Sequence, residues 1–178
     1  MKLYFLIGII ILFLISIFNK KLSVFKIILQ QFSIYKNDKT KKKSWYDIFT
    51  FFINPAIISI FLIFIIDYNF LFGFSELIIT VLSIVATILF SFLALLIDRK
   101  NKSEDDKVAQ VSNETYISII MTIIYSLIAL LLTICLLLLP DKIWLFQIFN
   151  ILIYYFVIKI VFNILMILKR MFLLLNNN

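Results

Sequence analysis

The chain has 178 residues, of which 63% are hydrophobic and 15% charged, with a formal net charge of +7 and no histidine. Soluble globular domains hold roughly 45–50% apolar and about 25% charged residues, so this composition excludes a water-soluble enzyme and a disordered tail. Its single cysteine has no partner within the chain, which excludes an intrachain disulfide scaffold.

Five apolar runs are separated by polar punctuation: residues 3–18, 48–66, 77–97, 116–139 and 143–168. A transmembrane helix needs about 20 apolar residues. A charge at its centre costs about 2.5–3.5 kcal/mol, and the five runs together contain one, Lys159. The expected fold is an all-α, polytopic transmembrane helical bundle, a single membrane domain with about five spans. The first run is short for a bilayer and resembles a secretory signal in its apolar length. Its exit, Ile17-Phe18-Asn19-Lys20, offers no small-residue cleavage site, so an uncleaved span is expected.

Residues 19–47 form a basic, amphipathic segment. Leu22, Phe25, Leu29, Phe32 and Tyr35 recur at helical spacing, which predicts a helix lying in the membrane interface or capping the bundle. Lys36, Lys39, Lys41, Lys42 and Lys43 follow within eight residues. Juxtamembrane lysines gain about 1 kcal/mol each from an anionic leaflet, so anionic lipid head groups are their expected partner. No aromatics are interleaved with these lysines, which argues against nucleic acid. Trp45 and Tyr46 then suit the interface as anchors.

Ser75 is read as an N-cap for the third span, and Asn54-Pro55 as a kink or a first turn in the second. Residues 98–114 are expected as a short solvated loop extending the helix ends. Pro140-Asp141-Lys142 makes a tight turn that pairs the last two spans as an antiparallel hairpin. Lysine and arginine concentrate in 19–47, 98–114 and after residue 168. The positive-inside rule then places the N-terminus outside and the C-terminus inside a bacterial-type cytoplasmic membrane.

Two hydroxyl stripes are the clearest pattern within the runs. At 100° per residue, Thr80, Ser83, Thr87 and Ser91 share one face of the third span, and Ser118, Thr122, Ser126 and Thr133 one face of the fourth. Two such stripes, able to face each other, fit close helix packing or the lining of a narrow pore. In the fifth span, Lys159 and Asn163 lie one turn apart and form an intramembrane polar pair. Lys159 suits either snorkelling and packing or an ion, anion or head-group site.

The chemistry of catalysis is sparse. Without histidine the commonest general base is missing, and no acidic pair falls inside a span. Cys135 has no basic neighbour in sequence and reads as a small hydrophobe. No catalytic residue, metal or cofactor is therefore expected. The predicted role is a non-enzymatic assembly or partner-binding subunit that joins copies of itself or another membrane or soluble protein. The alternative is an oligomeric pore or membrane-disrupting effector controlled by a soluble partner.

Overall fold

A computed structural model describes residues 24–34, 44–65, 71–102, 106–138 and 143–176, and all of these are helical except Ser44 and Ile65. The protein is an all-α bundle with no strand among the described residues. Its elements are α1 (Val24–Ile34), α2 (Trp45–Ile48), a π-helical segment (Phe49–Ile53), α3 (Asn54–Phe64), α4 (Leu71–Lys102), α5 (Asp106–Leu138) and α6 (Ile143–Asn176). Four stretches are long and apolar enough to cross a membrane: Trp45–Phe64, Ser75–Ile97, Val108–Leu137 and Leu145–Phe172. These match four of the five apolar runs. The first run, 3–18, lies outside the described residues.

The second span begins at an N-cap. The Ser44 side chain accepts a hydrogen bond from the Asp47 N–H at 3.4 Å, satisfying one orphan donor of the first turn. The π-helical turn that follows has a chemical cause in Pro55. Proline supplies no N–H, and its ring crowds the carbonyl four residues earlier. The turn before it widens, and the Asn54 N–H bonds back to the Phe49 carbonyl, five residues away. The widened turn carries Phe51 and Phe52, whose rings meet α6. Beyond it, Pro55, Ser59 and Ile63 are the buried residues of α3. They fall four residues apart on one face, and the small Ser59 at its centre suits close approach to α6.

Three sequence expectations are corrected here. Ser75 is not an N-cap: α4 begins at Leu71, and Ser75 lies buried inside it. A helix that passes through Gly73 costs only about 1 kcal/mol against alanine. Residues 98–114 are not mainly loop, since α4 runs on to Lys102 and α5 starts at Asp106. That stretch is polar but holds neither glycine nor proline, and polarity alone does not break a helix. Gln110 donates to Glu114 at 3.2 Å along its exposed face. Likewise Lys169 and Arg170 do not stop the last helix, which continues to Asn176.

The long helices form a row in the order α4, α5, α6, α3, with α1 lying against α5. α4 joins this row through a heptad seam. Ser75, Leu82, Leu89 and Leu96 are buried at intervals of seven, with Ile78, Val85 and Phe92 half-buried between them. Such a seam gives the shallow left-handed packing common to membrane bundles. Near one end, Ile78 meets Leu136 of α5 and Ile153 of α6. Near the other, Leu89 and Leu96 meet Ile119 and Ile123 of α5 and Ile167 and Leu174 of α6. The start of α4 thus packs on the end of α5, so neighbours run antiparallel. α5 is the centre of the row: half of its apolar window is buried, against 11% for α4.

Candidate functional site

The two hydroxyl stripes have opposite surroundings. Thr115, Ser118, Thr122, Ser126 and Thr133 of α5 are all buried within the bundle. Thr80, Ser83, Thr87 and Ser91 of α4 are all exposed, on the side of the helix opposite its leucine seam. Within one chain, therefore, the stripes do not face each other. Their local chemistry is nonetheless the same. In α4 each hydroxyl donates to the carbonyl four residues before it, at 2.8–3.2 Å. In α5 the hydroxyls of Thr115, Ser118, Thr122 and Thr133 do likewise at 2.7–2.8 Å, and Ser126 donates to the Ile123 carbonyl. A hydroxyl satisfied by its own helix can face lipid, another helix or water at little cost.

The α5 stripe gains one partner from outside its helix. Arg170, near the C-terminal end of α6, donates to the Ser118 hydroxyl at 2.8 Å and to the Glu114 carbonyl at 3.0 Å. The same guanidinium pairs with the Glu114 carboxylate at 3.3 Å. This clamp was not foreseen from sequence. Arg170 and Glu114 are 56 residues apart, and only their positions at adjacent ends of an antiparallel hairpin hint at it.

Lys159 is buried near the middle of α6 and is 3% exposed. Its amine does not snorkel to the end of the helix. Instead Nζ lies 3.7 Å from the centre of the Phe52 ring, 4.4 Å from Tyr125 and 5.3 Å from Tyr155. It also donates to the Tyr155 hydroxyl at 3.3 Å. No carboxylate among the described residues pairs with it. The rings take that place, since an aromatic face attracts a cation and the attraction reaches about 2 kcal/mol when both are desolvated. Phe156 completes the cluster, with its ring 5.9 Å from Tyr125 and 5.3 Å from Tyr155. Tyr155 precedes Lys159 by one turn and was legible in sequence. Phe52 and Tyr125 come from other helices and were not. Asn163, one turn beyond Lys159, is fully buried, and its side-chain amide has no hydrogen-bond partner among the described residues.

The aromatic cluster also holds α1. The Tyr125 hydroxyl donates to Gln31 Oε1 at 2.6 Å, and Gln31 is buried. Ile27, Ile28 and Ile34 pack against the cluster around Tyr125 and Met121. The helix thus turns Ile27, Ile28, Gln31 and Ile34 to the bundle. Leu29, a member of the expected face, is 55% exposed. The side chains of Leu22, Phe25, Phe32 and Tyr35 lie outside the described ones, so Leu29 alone represents the face expected from sequence. Lys36, Lys39, Lys41, Lys42 and Lys43 lie outside the described residues.

These contacts join α1, the second span, α5 and α6. Cys135 is a free, half-buried thiol in α5. Among the described residues no group of three His, Cys, Asp or Glu side chains is placed to hold a metal. No protein-family model matches this chain, and no curated protein or solved structure matches it either.

Proposed function

We propose that the protein is a non-enzymatic assembly subunit of a bacterial-type cytoplasmic membrane, joining a second copy of itself, or a partner subunit, through the outward face of α4. The observation that carries this reading is the pairing of two faces on one helix. The leucine seam of α4 is spent on α5, while Thr80, Ser83, Thr87 and Ser91 lie bare on the opposite side. Small residues three and four apart let a second helix approach closely, and packing rather than the hydrophobic effect drives helix association in lipid. The lysine-rich segment 36–43 fits an electrostatic anchor on an anionic inner leaflet, with the N-terminus outside and the C-terminus inside.

Native mass spectrometry of the purified protein in detergent tests this. The wild type is expected as a dimer or larger assembly, and Thr87→Leu, which adds bulk to the contact, is expected to weaken association about tenfold, or 1.4 kcal/mol. A wild type that stays monomeric in lipid nanodiscs as well as detergent, and that leaves native membranes with no other subunit bound, contradicts the proposal. In a closed ring of copies the same hydroxyl face would line a lumen. Assembly accompanied by ion flux into liposomes, lost in Thr87→Leu, favours that pore reading.

A further inference from the structure

At the end of the bundle marked by Lys169, a cleft of about 450 Å³ opens between the end of α1, the start of the second span and the last turns of α6. Its floor is apolar: Phe51 and Phe162 meet edge to face with ring centres 6.5 Å apart, flanked by Ile34, Leu165 and Met166. Its rim is charged by Asp47, Lys169 and Arg170. The polarity is graded along α6. Phe162 lies seven residues before Lys169, about 10 Å deeper along the axis.

The charges of the rim are not spent on one another. Arg170 is engaged with Glu114 and Ser118. The Asp47 carboxylate and the Lys169 ammonium have no ion-pair partner among the described residues, although both line the same cleft. A cleft with an apolar floor, and at one rim a cation and a carboxylate without an ion-pair partner among the described residues, matches a ligand of like construction. We infer that it holds the head and glycerol region of one glycerophospholipid whose head group carries both a phosphate and a primary ammonium, such as phosphatidylethanolamine. The phosphate sits at Lys169 with Arg170 behind it, the ammonium donates to Asp47, and the acyl chains leave past Leu165 and Phe162 into the bilayer.

Three features select this occupant over other lipids. The volume fits a head group and glycerol with the start of a chain, within the range of about 300–1,000 Å³ usual for small-molecule sites, and leaves the tails outside. Asp47 repels a purely anionic head such as phosphatidylglycerol, and a partly desolvated like charge is costly. Lys169 supplies the cationic donor that phosphate oxygens favour, and Arg170, held by Glu114, adds positive potential behind it. Lysines alone attract any anionic head group, whereas the cleft discriminates among head groups. It does not depend on whether α4 mediates assembly.

Native mass spectrometry of the delipidated full-length protein, titrated separately with dioleoyl phosphatidylethanolamine and dioleoyl phosphatidylglycerol, tests the proposal. The wild type is expected to retain one phosphatidylethanolamine about tenfold more tightly than phosphatidylglycerol, the factor that one charge-assisted hydrogen bond supplies. Asp47→Asn should bring the two lipids to parity, and Lys169→Gln should weaken both. Leu165 is 57% exposed, so Leu165→Trp narrows the cleft without disturbing the core and should weaken phosphatidylethanolamine severalfold. Unchanged gel-filtration elution and melting temperature of the Lys169 and Leu165 variants keep these results independent of folding. Equal retention of the two lipids by the wild type, a preference unmoved by Asp47→Asn, or retention untouched by Leu165→Trp overturns the proposal.

Discussion

α4 and α5 carry the same hydroxyl pattern, made by the same hydrogen bonds, yet one stripe is bare and the other buried. The difference lies in what stands opposite and beside the small residues. α4 places Leu82, Leu89 and Leu96 across the helix from its stripe, and those leucines claim the contact with α5. α5 places Ile119, Met121 and Leu136 among its hydroxyl residues, with helices on both sides, so its stripe sinks inward with them. Bulky residues decide which face packs within the chain, and small ones show where a backbone can come near. A Ser/Thr stripe is thus two different statements, depending on its neighbours.

That contrast can be broken by substitution. The largest effect is expected from Thr122→Leu. Thr122 is fully buried, and forcing extra methylenes into a packed core costs about 3 kcal/mol at the upper end of the usual range, read as a lowered midpoint in unfolding by denaturing detergent. Leu89→Ala should cost about 2 kcal/mol in the same assay. This is the low end for soluble cores, because lipid or detergent replaces water as the outside medium. The neighbouring Ile88, 49% exposed on the outward side, should tolerate alanine within about 0.5 kcal/mol. Equal losses at Leu89 and Ile88 would show that α4 has no preferred inner face.

A smaller effect is expected at the clamp. Arg170→Gln removes the ion pair with Glu114 and the bond to Ser118, and should lower stability by about 1.5 kcal/mol, the low end for hydrogen bonds to a charged group. The loss should shrink by about half when Glu114 is already glutamine, because the two residues then share one missing interaction. Full additivity would mean that the Arg170–Glu114 ion pair contributes nothing.

Much of the fold was legible because lipid imposes a plain rule: charged residues leave the span, and four of the apolar runs are helices at nearly the expected positions. Helix ends were less legible. Ser75 and the 98–114 stretch look like a cap and a loop, but α4 runs through Ser75, and α4 and α5 extend into the stretch as far as Lys102 and from Asp106. The sites divide in the same way. Lys159 stands out in any apolar run, and Tyr155 one turn away belongs to the same helical face. Its other rings, Phe52 and Tyr125, reach it only because Pro55 widens a turn in one helix and α5 packs centrally in the row. On α1 the inward face carries Gln31, whose polarity argues for solvent until Tyr125 is beside it.

The central claim, that α4 presents an intermolecular face while the matching face of α5 is used within the chain, is most directly tested by cysteine cross-linking in native membranes. Cys135 is replaced by alanine, and single cysteines are introduced at Thr80, Ser83, Thr87, Ser91 and Thr122. Oxidation should yield disulfide-linked dimers through one or more of the four α4 positions, with a maximum that repeats every three to four residues, and none through position 122. Dimers through position 122, or none at any α4 position, would contradict the account.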